Sequence, residues 1–210
     1  MDADVFRTWI TTAAEVIEEQ RDHLTQLDAA IGDADHGINL ARGFSAVVTA
    51  LETAAPATPG AVLTLTGSTL ISKVGGASGP LYGTAFRGAG KALGDTADVD
   101  LPGLAAALEA ALAGVQRLGA AREGDKTMVD ALAPATGAFS KAIAEGASDA
   151  DALTALAEAA QAGAVATVSM QALKGRASYL GPRSVGHEDP GAASTALILA
   201  ALRDAVLAGR

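Results

Sequence analysis

Three aspartates, Asp28, Asp33 and Asp35, fall within the run LDAAIGDADHGIN at residues 27–39, where a helical apolar pattern gives way to a turn. A helix C-terminus carries partial negative charge, so acids gathered there are unfavourable unless a cation compensates them. Hard carboxylate oxygens suit Mg²⁺ or Ca²⁺ rather than zinc. The spacing excludes an EF-hand: with Asp33 and Asp35 as loop positions one and three, Gly37 and Ile38 occupy positions five and six and no glutamate closes the loop. An open carboxylate site that leaves coordination positions for phosphate oxygens fits better. For any single aspartate, capping or solvating a turn is an adequate alternative; three of them beside His36 and Asn39 favour the metal.

Three further segments carry polar function. In KVGGASGPLYG (73–83) the glycines permit close backbone approach and the start of a helix offers N–H groups to an anion. It is not a Walker A loop, because Gly90-Lys91 is followed by Ala92 and no glycine precedes at the required spacing. A tight turn between packed helices is the competing reading, and Ser78 offers a hydroxyl in either case. GDKTMVDAL (124–132) places Met128 where it could flank a flat ring, although a helical methionine equally suits core packing. KGRASYLGPRSVGHEDPGA (174–192) concentrates Arg176, Arg183 and His187 ahead of the helix start Asp189-Pro190-Gly191. Its arginines could grip phosphate or balance transition-state charge, or pair with structural carboxylates.

The elements that must position these groups read as helices throughout. The 210 residues are half hydrophobic but only 3% aromatic, a composition suited to closely packed helices rather than to sheets. Apolar periodicity predicts a long first helix from Val5 to Ile31, then helices over about 39–52, 61–74, 80–94, 101–119, 127–145 (containing Pro134), 148–173 and 190–207, with a long polar loop at 174–188. No linker divides the pattern, so residues 1–210 are expected to form one all-α domain of eight antiparallel amphipathic helices. Net charge −9 argues against nucleic acid and anionic lipid as partners. The absence of cysteine excludes disulfides and thiolate chemistry. Pro56, Pro59 and Gly60 interrupt the uncharged stretch 53–72, so it is not expected to span a bilayer. The acidic N-terminus has no signal-peptide pattern, and a cytoplasmic location is expected.

Taken in order, GDADHGIN, GGASGPLYG, GDKTMVDAL and GRASYLGPRSVGHEDPGA resemble the nucleotide-binding L subunit of dihydroxyacetone kinase, along essentially the whole chain. The resemblance implies a barrel of eight helices with the nucleotide among the loops at one end and two Mg²⁺ ions bridging its phosphates to the positions of Asp28, Asp33 and Asp35. It implies nucleotide contacts at His36, Gly37, Ile38, Asn39, Ala77, Ser78, Gly119, Met128, Arg176, Asp189, Pro190 and Gly191, with Arg176 as the group that stabilises charge in transfer. In that family bound ADP/ATP passes a phosphoryl group to dihydroxyacetone held on a separate K subunit. A free-standing L chain resembles the phosphotransferase-system type, in which ADP is rephosphorylated in place from phosphoenolpyruvate through the phosphohistidine of an M subunit. The expected partners are therefore K and M subunits, with a homodimer also allowed. Two alternatives keep the same site: an ATP-dependent kinase for another keto-sugar, and a nucleotide-state regulator that docks on a transcription regulator.

Overall fold

The computed structural model describes residues 1–209, and among them are nine α-helices, two short 3₁₀ segments and no strand. The helices are α1 (Ala3–Glu19), α2 (Arg21–Ile31), α3 (His36–Ala54), α4 (Pro59–Lys73), α5 (Ser78–Leu93), α6 (Leu101–Gly119), α7 (Val129–Ala144), α8 (Asp149–Ala166) and α9 (Pro190–Ala208). Local sequence explains many of the boundaries. Side chains of Asp2, Thr58, Asp100, Ser148 and Asp189 accept backbone N–H groups of the first turns of α1, α4, α6, α8 and α9. Pro59, Pro102 and Pro190 stand in first turns, where a missing N–H costs nothing.

The expected first helix is in fact two. α1 and α2 meet at Gln20, whose ψ of 5° departs from helical geometry, although the ladder continues across it from Gln20 N to Val16 O and from Leu24 N to Gln20 O, both 2.9 Å. The bend carries no proline or glycine, so periodicity ran straight through it. The helix expected to reach Leu173 stops at Ala166, because the Thr167 hydroxyl turns back onto Ala164 O at 2.6 Å and a 3₁₀ turn follows. The polar loop that comes next is itself partly helical, with 3₁₀ turns over Arg176–Ser184 broken at Gly181, where φ is +56°.

α2 continues the course of α1 past the bend, and from α2 onward successive helices run in opposite directions and pack on their neighbours, with α9 closing the set against α1. One buried cluster extends from Ala3 to Val206. It contains an aromatic chain, Phe6–Trp9–Phe86–Phe44, with ring centroids 5.7–6.2 Å apart. The Trp9 indole also donates to Ile198 O at 2.9 Å, satisfying its one polar atom across the α1–α9 seam. Small residues let helices approach closely: a methyl on Gly163 would lie 2.1 Å from Asp130 O, the carbonyl that Pro134 leaves without an intrahelical donor. α8 thus packs directly over the backbone defect in α7. α9 is long and apolar enough to cross a membrane, but most of that surface is buried inside the bundle.

Candidate functional site

Alternation of direction brings the N-termini of α3, α5, α7 and α9 to one end of the bundle, where a cavity of about 290 Å³ opens among them. Three of these helices differ from those starting at the other end: the N-cap residues Asp35, Ala77 and Met128 place no side chain on the first turns of α3, α5 and α7. Helix N-termini carry partial positive charge, so their convergence favours an anion. The start of α5 takes no side-chain cap, whereas Asp28 serves the first N–H of α3 and the Thr127 hydroxyl accepts Val129 N (3.2 Å) at the start of α7.

The carboxylates face this end. Asp28, Asp33 and Asp35 each offer an oxygen within 4.8 Å of the others'. Asp28 is buried near the end of α2, and its Oδ2 accepts the N–H groups of Asp35 (2.8 Å) and His36 (3.1 Å), orienting it while tying α2 to the start of α3. Two features make this turn. A methyl on Gly32 would lie 2.0 Å from Asp28 Oδ1, so only glycine fits there. Ala34, between the other two acids, adopts φ +61°, a conformation that is strained for a residue with a Cβ. Arg176 reaches the cluster from the 3₁₀ segment, with Nη2 3.0 Å from Asp33 Oδ2. Three clustered carboxylate oxygens are a hard-cation donor set and fit Mg²⁺ with positions left for phosphate oxygens, while the Arg176 guanidinium offsets part of their charge.

A hydrogen-bonded relay braces the floor of the cavity. His36 Nδ1 lies 3.1 Å from Ser78 Oγ and Nε2 lies 2.8 Å from Ser194 Oγ. Burial lowers the His36 pKa to about 4, against the opposing charge of Asp28, so the imidazole is neutral and presents one donor and one acceptor. The Tyr82 hydroxyl continues the chain to Ser194 Oγ (2.7 Å), Thr195 Oγ1 (2.9 Å) and Gly191 O (3.0 Å), and burial pushes its pKa up to about 12. Asp189 caps α9 through Ala192 N (2.7 Å); burial drives its pKa up to about 7, while the Lys126 ammonium pulls it down and Asp130 pushes it up.

Of the expected site residues, Asp28, Asp33, Asp35, His36, Ala77, Ser78, Gly119, Met128, Arg176, Asp189, Pro190 and Gly191 all line the cavity. Gly37, Ile38 and Asn39 sit beside it on the first turn of α3. Gly37 packs on α2, Ile38 is half exposed, and the buried Asn39 accepts from Arg42 at 2.7 Å. Arg183 is exposed outside the cavity. Sequence reading passed over Tyr82 and Lys126, although both stand inside segments it singled out. Their weight comes from burial, and neither residue type signals burial at those positions.

A fold of antiparallel helices with carboxylates and helix N-termini at one end defines a class of phosphate-handling helical domain, and comparison with known proteins agrees. Residues 30–204 match the DAK2 domain model. The chain belongs to the DAK2 domain family. It is 42% identical to the ADP-binding subunit DhaL of PEP-dependent dihydroxyacetone kinase 1 of Listeria innocua, with 96% of each chain covered, and 43% identical to the corresponding DhaL of Escherichia coli, with 91% of each covered. It is 38% identical to the D-erythrulose kinase of Mycolicibacterium smegmatis, of which it spans only 34%. Among solved structures, the dihydroxyacetone kinase from C. freundii in complex with AMP-PNP and Mg²⁺ superposes with a TM-score of 0.74 at 29% identity. That match covers 97% of this chain and 34% of the kinase.

Proposed function

We propose that this chain is the ADP-binding, phosphoryl-transferring subunit of a PEP-dependent dihydroxyacetone kinase, folded as one domain over residues 1–210. The observation that carries the reading is the placement of three carboxylates within 4.8 Å of one another at the end of the bundle where the starts of α3, α5, α7 and α9 converge, the first turn of α5 bearing no side-chain cap. Asp28, Asp33 and Asp35 hold magnesium, as two ions, and the metal supplies charge neutralisation to the nucleotide phosphates. The first turns of α3 and α5 receive phosphate oxygens, with the Ser78 hydroxyl held in place by His36, and Asp189, Pro190 and Gly191 contact the nucleotide from the cavity wall. Met128, Val115 and Leu81 give the apolar end of the cavity a surface for the base.

The reaction moves a phosphoryl group from the nucleotide to a hydroxyl of dihydroxyacetone held on a K subunit, and the acceptor's proton leaves with a base on that partner. Transfer needs positioning and charge stabilisation more than covalent help from this chain. Arg176 provides the mobile positive charge: its guanidinium already reaches the carboxylate cluster at Asp33, within range of phosphates bridged there. Identity of 42–43% to the PEP-dependent ADP-binding subunits, against 38% to the D-erythrulose kinase, favours rephosphorylation of bound ADP in place through an M-type phosphohistidine subunit. The setting is cytoplasmic.

The test is to desalt the purified protein extensively and measure nucleotide in the acid supernatant, with Mg²⁺ present and after EDTA. Stoichiometric ADP that only EDTA releases is the expected result. Rapid loss of nucleotide with fast exchange of added ATP would instead indicate an ATP-using subunit, and no binding in either condition would overturn the site. Asp35→Ala should abolish Mg-dependent binding with helical content intact by circular dichroism.

A further inference from the structure

Lys126 is the only buried lysine among the described residues, 1% exposed, on a backbone with φ +60°. Its Nζ donates to Thr167 O at 2.7 Å and to His187 O, two carbonyls 20 residues apart in sequence. Removing an ammonium from water is unfavourable, and here its hydrogen bonds go to two carbonyls, with the buried Asp189 as the nearby opposing charge. What those carbonyls bracket is the excursion between α8 and α9. The neighbouring Asp125 O accepts Leu173 N at 3.0 Å, Gly186 N donates to Val168 O at 2.7 Å, and Asp189 N donates to Thr167 Oγ1 at 2.9 Å. The neck of the excursion is therefore closed around the Lys126 side chain, and the excursion carries Arg176 to Asp33.

Resting on the proposed transfer reaction, we infer that Lys126 is a positioning residue for it: by clamping Thr167 and His187 it fixes the excursion that sets where Arg176 meets the phosphates. The backbone at Lys126 is left-handed, a conformation that is uncommon for a residue with a Cβ and is held here by the surrounding structure. The same ammonium offsets the buried Asp189 at the head of α9, on the other side of the neck. Lys126 borders the cavity, but its ammonium is engaged by the two carbonyls and it acts through Arg176.

The experiment is a double-mutant cycle on the chain assembled with its substrate-holding subunit, reading kcat for transfer and Kd for Mg-ADP separately. Lys126→Met should lower kcat by about 10- to 100-fold, because displacing a charge-stabilising group by an ångström is enough for that, while Kd moves much less. In an Arg176→Ala background the same substitution should cost almost nothing further. Additive losses, or a Kd that worsens as much as kcat falls, would overturn the inference. Should Lys126→Met not fold, Thr167→Val loosens the neck from its other side by removing the hydroxyl that receives Asp189 N. A smaller loss of kcat, again absent without Arg176, is then expected, and additivity overturns the inference there too. An unmutated chain that neither binds Mg-ADP nor supports transfer would refute the parent reading and this one with it; an active chain with additive losses would refute this one alone.

Discussion

The two ends of the bundle are built from the same helices and solve the same problem differently. At the end where α1, α4, α6 and α8 begin, each first turn is closed by a side chain of its own: Asp2, Thr58, Asp100 and Ser148. At the other end, where α3, α5, α7 and α9 begin, only α9 is capped by its own N-cap residue, Asp189; Asp28 of the carboxylate cluster serves the start of α3, Thr127 that of α7, and no side chain caps α5. The capped end spends its polar groups on folding. The open end leaves backbone N–H groups and acids facing a shared cavity, an arrangement that becomes favourable when a metal and a polyphosphate enter.

This contrast can be broken most severely at Asp28. Asp28→Ala removes a cluster oxygen and the acceptor for two N–H groups, and should weaken Mg-ADP binding by at least about 100-fold, measured by calorimetry with and without Mg²⁺. A smaller effect comes from supplying a cap where none exists. Ala77→Asp puts a carboxylate at the start of α5, where a phosphate is expected, and should weaken ADP binding about tenfold while leaving thermal stability nearly unchanged. Unaltered affinity would show that α5 does not receive the anion.

The buried cap Asp189 gives a pH signature. Its folded pKa, raised to about 7 above the usual carboxylate value, means that the folded protein keeps a proton the unfolded chain has released. Its contribution to stability is therefore full below about pH 4 and is lost as pH rises to 7, at about 1 kcal/mol per unit or less. Asp189→Asn, which keeps a capping oxygen, should gain stability relative to the parent across that window and no more above it, as read by urea denaturation at several pH values. Smallest is Asp100→Ala at the capped end, which should cost about 1 kcal/mol in stability with no change in ADP affinity.

Much of this was legible in sequence because the signals were local. Capping residues and prolines marked helix starts to within a few residues, and the three aspartates announced themselves by crowding. The bend at Gln20 was not legible, since the apolar period and the hydrogen-bond ladder both run through it. Nor was the strained Ala34, because alanine gives no hint of a left-handed turn. Gly37, Ile38 and Asn39 stand beside the cavity on the first turn of α3, where the backbone rather than the side chains of Gly37 and Ile38 faces the helix end. The relay through His36, Ser194 and Tyr82 joins residues more than one hundred positions apart, and only the closed bundle brings them together.

The seam between α1 and α9 has a consequence for architecture. Because α1 begins and α9 ends at the capped end, with Gly209 lying against Val5, both ends of the described chain emerge side by side on the face opposite the cavity. A further domain joined at either terminus would leave the mouth of the cavity clear, so the same helical unit can serve as an independent subunit or as one segment of a longer polypeptide without redesign of its site.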